Sequence, residues 1–176
     1  MLFQETPLAG AYRVDPEPRH DPRGFFARTF CVEEFQAHGL NGQWVQHNIS
    51  FNVAKGTLRG LHYQCAPHAE IKVVRCTAGA VYDVIVDLRP GSPTHAHWFG
   101  VELSADNRRM LYIPAGFAHG FQTLVPNSEL FYLMSTFYHP EAARGVVWDD
   151  PTLNIAWPED ERILSERDRA LPRLSS

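Results

Sequence analysis

The sequence predicts an all-β chain that folds as a sandwich or barrel. Short runs rich in β-branched and aromatic residues recur at near-regular spacing, and Gly, Pro, Asn and Asp separate them. A single run has a helical pattern, so helices contribute little to the predicted architecture. The predicted strands are 25–30, 44–51, 58–63, 71–76, 81–88, 98–103, 111–113, 120–124 and 130–138.

Local signals support the individual elements. The run 81–87 alternates imperfectly between apolar and polar residues, as expected of a strand that is buried on much of both faces. The helix predicted at 32–38 has glutamates in its first turn, where carboxylates favour helix formation, and Gly39 ends it. A second helical turn is predicted to begin at Pro140.

The C-terminal stretch is distinct in composition. From Asp149 onward it is rich in Pro, Asp and Arg, and Trp148 and Trp157 are candidate anchors. We interpret it as an arm that packs over the barrel and not as a second domain. The length of 176 residues agrees with one domain spanning 1–176.

Composition excludes several classes of partner. The formal net charge is −4 and no Lys/Arg-rich run is present, so nucleic acid is not an expected partner. No apolar run approaches the roughly 20 residues that span a bilayer, so membrane association is not expected. The N-terminus lacks a signal-peptide pattern, and the three cysteines form no C-x-x-C pair. These features predict reduced thiols in a cytoplasmic protein.

A set of ionisable residues predicts the chemistry. Arg59 and His62 lie three residues apart in the run 58–64, Lys72 is on the next predicted strand, and Tyr132 is on a later one. Charged side chains inside a small barrel are unfavourable unless they bind something. A base (His62), an acid (Tyr132) and fixed positive charge suit proton transfer beside a carbonyl of an anionic substrate.

A second motif refines the fold and leaves an alternative open. Pro114, Gly116 and His119 have the spacing of the turn and strand of a cupin jelly roll, which predicts a jelly-roll sandwich with a few short helices. In many cupins that histidine binds a metal. His62, Glu70 and His119 together offer a ligand set for Fe, Mn or Zn. The usual His-x-His motif is missing, so we expect no metal.

In the ionisable residues and the Pro114–His119 motif described above, the chain resembles the dTDP-4-dehydrorhamnose 3,5-epimerase family. The resemblance implies a cupin without metal or cofactor that forms a homodimer. It also implies epimerisation of a dTDP-linked 4-keto-6-deoxy sugar at C3 and C5. The matching motifs cover nearly the whole chain, at 21–26, 46–48, 58–64, 72–75, 83–89, 92–94, 103–107, 113–121, 144–145, 148–151 and 164–165.

The resemblance also implies roles for single residues. His62 resembles the base and Asp168 the carboxylate that orients it; the residue pattern alone does not single out Asp168. Lys72 resembles the group that stabilises an enolate at O4, and Tyr132 resembles the acid on the opposite face. The substrate-binding residues implied by the resemblance are Arg23, Phe26, Arg28, Gln46, His47, Asn48, Arg59, His119, Tyr138 and Arg167.

The chain departs from the family pattern at four positions, none of them a proton-transfer residue. Arg28 and Ala143 each replace a glutamate, His47 replaces an aspartate, and Arg167 replaces a lysine. These changes predict an unchanged reaction class with weaker discrimination between nucleotides. Three alternatives remain: an epimerase acting at one centre, a metal-dependent cupin oxygenase, and a non-catalytic binder of nucleotide sugars.

Overall fold

The computed structural model describes residues 1–174 and consists mainly of two antiparallel sheets. In sheet order, the six-stranded sheet contains β1 (Leu2–Glu5), β2 (Tyr12–Asp15), β10 (Met110–Ile113), β7 (Lys72–Ala78), β12 (Ser128–Met134) and β5 (Gln46–Asn52). The five-stranded sheet contains β13 (Ala143–Gly145), β6 (Leu58–Gln64), β11 (Phe117–Thr123), β8 (Ala80–Asp87) and β9 (Trp98–Ser104). A separate hairpin pairs β3 (Arg19–Asp21) with β4 (Gly24–Phe26), and the helices are α1 (Val32–Ala37) and α2 (Glu166–Arg169).

The two sheets pack face to face around one apolar core. Val74 and Leu130 come from the six-stranded sheet, and Ile85 and Phe121 come from the five-stranded sheet. Side chains along each strand point alternately toward the inner core and toward the outer face. In β8, Ile85 packs in the inner core, and its neighbours Val84 and Val86 pack on the outer face. This arrangement confirms the predicted cupin-like jelly roll.

Both outer faces are covered by segments outside the sheets. Leu153 and Trp157 of the C-terminal stretch pack with Val84 and Val86 on the outer face of the five-stranded sheet. The structure thus confirms the predicted arm. Phe35 of α1 covers the outer face of the six-stranded sheet.

Several elements differ from the sequence prediction. The predicted strand 25–30 is reduced to the three residues of β4, and β1, β2, β3, β13 and α2 were not predicted. At 140–143 there is a single turn, in which the N–H groups of Ala142 and Ala143 donate to the carbonyl of His139. The missed strands are three or four residues long, too short for a clear periodic signal. Within residues 1–174, neither helix has the length and hydrophobicity that a membrane crossing requires.

Candidate active site

An irregularity in β6 brings two polar residues of this strand to the inner face of the sandwich. His62 pairs with His119 and Arg59 pairs with Phe121 on β11, and the register shifts between these pairs. Residues three apart in a regular strand face opposite sides, whereas directly paired residues share a face. The shift therefore lets Arg59 and His62 share the face of His119. Gly60 lies there with a φ of +121°, and a Cβ would stand 2.6 Å from the backbone of β11.

The inner faces of both sheets border a cavity of about 260 Å³. It contains side chains from five strands, which explains why residues far apart in the sequence meet there. The predicted site residues that line it are Asn48, Arg59, His62, Lys72, His119 and Tyr132. Sequence reasoning did not select the other lining residues, Ile49, Ser50, Gly120, Phe121 and Met134.

The candidate base is paired with a buried carboxylate. His62 Nε2 lies 2.6 Å from Asp168 Oδ1; the histidine side chain is 39% exposed and the aspartate side chain 7%. Asp168 lies in α2, whose N-cap is Ser165. Burial alone would raise the pKa of Asp168, but the hydrogen bond and charge of His62 outweigh it and lower the pKa below its usual value. The ionised carboxylate therefore fixes the imidazole orientation and stabilises its protonated form.

The candidate acid lies against a second histidine–carboxylate pair. The Tyr132 ring meets the His119 ring edge to face, with the centroids 5.9 Å apart. His119 Nε2 in turn lies 2.9 Å from Asp83 Oδ2, and both of these side chains are buried. Burial raises the pKa of Tyr132 well above its usual value, and the nearby Asp83 adds to this effect. Tyr132 is consequently neutral over the physiological pH range and has a proton to give.

Two cations occupy the cavity wall. Lys72 Nζ lies 2.9 Å from Glu70 Oε1, and the Arg59 guanidinium donates through Nε to Asn52 Oδ1 at 2.8 Å. These partners hold both side chains in fixed positions. Fixed positive charge beside a cavity favours an anionic ligand and a developing oxyanion.

The alternative metal site of His62, Glu70 and His119 is not assembled. Each of the three contacts a partner described above: a carboxylate for each histidine and an ammonium for the glutamate. Across residues 1–174, these three do not form a group with metal-ligand spacing. The positions of the donor atoms thus argue against this alternative.

Three predicted binding residues lie outside the cavity of a single chain. Arg23 forms an ion pair with Asp21 and is 89% exposed, and Phe26 is 77% exposed. Arg28 forms a 2.7 Å ion pair with Glu34. Within residues 1–174 the hairpin that carries Arg23 and Phe26 pairs with no other strand, and neither residue lines the cavity that contains His62. A separate cavity of about 520 Å³ is instead lined by Met1, Glu17, Pro18, Arg19, Phe26, Arg28 and Glu34.

The four other predicted binding residues do not line the cavity either. The Oε1 of Gln46 accepts a 3.3 Å hydrogen bond from the Tyr138 N–H, and Tyr138 is 55% exposed. His47 packs edge-on against Phe131 at 5.7 Å, on the strand face opposite the cavity. Arg167 is exposed on α2, next to Asp168 in sequence. Because side chains alternate between the two faces of β5, the sequence could have placed His47 on the face opposite Gln46 and Asn48.

Sequence reasoning missed the groups that hold the site residues. Asp83, the partner of His119, is an acidic residue in the centre of the apolar strand β8, and that contrast was a usable signal. Glu70 was considered as a metal ligand and is instead the partner of Lys72. Asn52, which orients Arg59, gave no signal in the sequence.

The chain matches a known family over nearly its whole length. The family model described as dTDP-4-dehydrorhamnose 3,5-epimerase matches residues 5–176. The chain belongs to this family. A dTDP-4-dehydrorhamnose 3,5-epimerase of Sinorhizobium fredii is 42% identical over 175 residues, which cover 99% of this chain and 90% of the relative.

Two further members are similarly close. The dTDP-4-dehydrorhamnose 3,5-epimerase of Pseudomonas aeruginosa is 50% identical over 157 residues, covering 87% of this chain and 86% of the relative. The crystal structure of the enzyme from Bacillus anthracis, with TDP and PPi bound, superposes with a TM-score of 0.95. It is 43% identical, and the match covers 98% of this chain and 99% of the other. Fold and family are thereby established together.

Proposed function

We propose that this protein epimerises dTDP-4-dehydro-6-deoxy-D-glucose at C3 and C5 to give dTDP-4-dehydro-L-rhamnose. The observation that carries the proposal is the shared cavity of His62, Lys72 and Tyr132, with Asp168 bound to the histidine. Membership of the family supports the same reaction.

The reaction follows from the acidity of hydrogens next to a ketone. His62 takes the proton from C3 or C5, and the electron pair of the broken C–H bond moves to the C4 oxygen as an enolate. Lys72 stabilises this oxyanion, since a fixed cation in a partly buried site interacts strongly with developing charge. Tyr132 returns a proton from the opposite face, which inverts the carbon. Solvent then restores both side chains, so the reaction has no net proton change.

The nucleotide portion fits the charged wall of the cavity. Arg59 and Asn48 both line the cavity, where they offer a guanidinium and an amide to the diphosphate. The relative from Bacillus anthracis was solved with TDP and PPi, which supports a thymidine-linked ligand for this site.

A homodimer would bring the predicted substrate-binding residues that lie outside the cavity of one chain to the cavity of its partner. The β3–β4 hairpin exposes Arg23 and Phe26, and the edge strand β5 exposes Ile49 (65%) and Phe51 (51%) on the same strand face as His47. Exposed apolar residues on an edge strand and an isolated hairpin favour association with another chain. In our proposal, the hairpin of each chain reaches the cavity of its partner and supplies Arg23 there.

Deuterium incorporation tests the reaction. We expect incubation with dTDP-4-dehydro-6-deoxy-D-glucose in D₂O to place deuterium at C3 and C5, as located by NMR, with or without a chelator. His62→Ala should reduce turnover at least ~100-fold, the low end for a general base, while ligand binding survives. Deuterium at one centre would assign a one-centre epimerase. Near wild-type exchange in the variant would refute the assignment of the base.

Mixing two inactive variants tests the dimer. Arg23→Ala and His62→Ala chains should each be inactive alone. After subunit exchange, mixed dimers would combine an intact hairpin with an intact base, and part of the activity should return. No recovery, despite mixed dimers seen by mass spectrometry, would show that the hairpin does not act across the interface.

A further inference from the structure

A second group of ligand-type side chains lies outside the cavity. His68 is in the β6–β7 connection, and His139 and Glu141 are in the β12–β13 connection. Their nitrogen and oxygen donor atoms all lie within 4.8 Å of one another. The two imidazole rings stack with centroids 3.6 Å apart, and His139 Nδ1 lies 3.0 Å from Glu141 Oε1. We propose that these three side chains bind one divalent transition-metal ion that prefers imidazole, represented by Zn²⁺.

The donor set and its dimensions suit such an ion. Two imidazoles and one carboxylate are common Zn²⁺ ligands, and water completes a four-coordinate site. With metal–ligand bonds of about 2.0–2.1 Å, donor atoms on one tetrahedral Zn²⁺ are about 3.3 Å apart. The His139–Glu141 pair, at 3.0 Å, is close to this separation, and His68 would supply the third donor by turning its ring out of the stack on His139.

A buried amide holds the two histidines in place. Gln64 is 3% exposed. Its Nε2 donates to the His68 carbonyl at 3.1 Å, and its Oε1 accepts from the His139 N–H at 2.6 Å. One side chain therefore fixes the backbone of both connections, which reduces the ordering that metal binding requires.

The local charges also favour a cation. Glu141 contributes the carboxylate of the cluster, whose Oε1 lies 3.0 Å from His139 Nδ1. The neighbouring Arg144 guanidinium donates to the carbonyl oxygens of Glu141 and Ala143, and not to the carboxylate. The carboxylate thus remains available as a ligand.

Metal titration of the intact protein tests the site. We expect isothermal titration with Zn²⁺ to give one site per chain, and Co²⁺ to give the visible absorption of a four-coordinate complex. His139→Ala and Glu141→Gln should each weaken Zn²⁺ binding by on the order of 10-fold or more, because each removes one of three ligands. The matched control is His95→Ala, which removes an exposed histidine elsewhere and should leave binding unchanged.

The outcomes distinguish a specific metal site from non-specific binding to surface side chains. Unchanged affinity in both His139→Ala and Glu141→Gln would overturn the proposal, as would equal weakening in His95→Ala. Circular dichroism checks that each variant is folded. The three ligands do not line the catalytic cavity, so the result does not depend on the epimerase reaction.

Discussion

Lys72 Nζ and Glu70 Oε1 lie 2.9 Å apart, and both side chains are less than one-tenth exposed, at 8% and 9%. A buried ion pair of this kind has two separable effects. Its charge balance contributes to folding, because removing one partner leaves an uncompensated buried charge. In the proposed reaction its ammonium also stabilises the enolate, because it faces the cavity.

A double-mutant cycle should separate these two effects. Lys72→Met leaves Glu70 unpaired and is expected to lower the free energy of unfolding by about 3–5 kcal/mol. Lys72→Met combined with Glu70→Gln should recover part of that stability without recovering activity. Urea denaturation and turnover measure the two quantities. Activity that returned together with stability would make Lys72 a structural residue.

Asp168→Asn should lower kcat strongly and change KM little. The substitution removes the charge that supports the protonated His62 but leaves the substrate contacts in place. Steady-state kinetics with a folded variant measure both constants. The control is Asp160→Asn, an exposed acid in the same arm, which should behave as wild type. A rise in KM at constant kcat would instead indicate a binding role.

Tyr132→Phe should uncouple hydrogen exchange from inversion. His62 would still remove the substrate proton, and its partly exposed ring can exchange that proton with solvent. Without the acid on the opposite face, the carbon regains a proton from the same side. In D₂O we therefore expect deuterium in recovered substrate with little product, measured by NMR. Product formation at the wild-type rate would show that another group is the acid.

Nucleotide choice should be relaxed at the positions that depart from the family pattern. Arg28, His47 and Ala143 replace acidic residues of that pattern, and none of the three lines the cavity of a single chain, so a base acceptor lost with them would lie at the proposed dimer interface. We expect dTDP to be preferred over UDP by on the order of 10- to 100-fold in kcat/KM, since few contacts differ. Comparing dTDP, UDP, CDP and GDP forms of one 4-keto sugar measures this. A far larger preference for dTDP would show that these substitutions leave base recognition intact.

Acid stability should depend on Asp87. Burial alone would raise its pKa, but hydrogen bonds from Arg89, Ser92 and Thr94 outweigh this and hold the pKa well below the usual value. Such a carboxylate stabilises the fold above its unfolded pKa of about 3.9, and the stabilisation is lost as pH falls toward the folded pKa. Asp87→Asn should therefore lower the free energy of unfolding at pH 7. Below about pH 4, the free energy of unfolding of this variant should fall less steeply with pH than that of the wild type.

Denaturant titrations across pH measure this effect. Asp149→Asn, in which an exposed carboxylate is replaced, serves as the control and should keep the wild-type profile. An Asp87→Asn curve parallel to wild type throughout the acid range would contradict the prediction.

The sequence predicted the elements with strong local signals and failed where contacts are long-range. Most central strands and α1 were predicted because their apolar runs and stop signals are local. The common face of Arg59 and His62 was not derivable, since it requires a register shift that depends on β11. The family resemblance supplied Asp168, whose own surroundings in the sequence are those of an ordinary surface charge.

His62 and Asp168 are 106 positions apart in the sequence, so the proposed base can be paired with its carboxylate only after the chain has been synthesised as far as α2. Both sheets can form once β13 has been synthesised, yet the base still lacks its carboxylate at that stage. The histidine gains this partner only after α2 has left the ribosome and docked on β6. A product that ends after the arm but before α2 should therefore keep both sheets and their covering, yet bind substrate without turning it over.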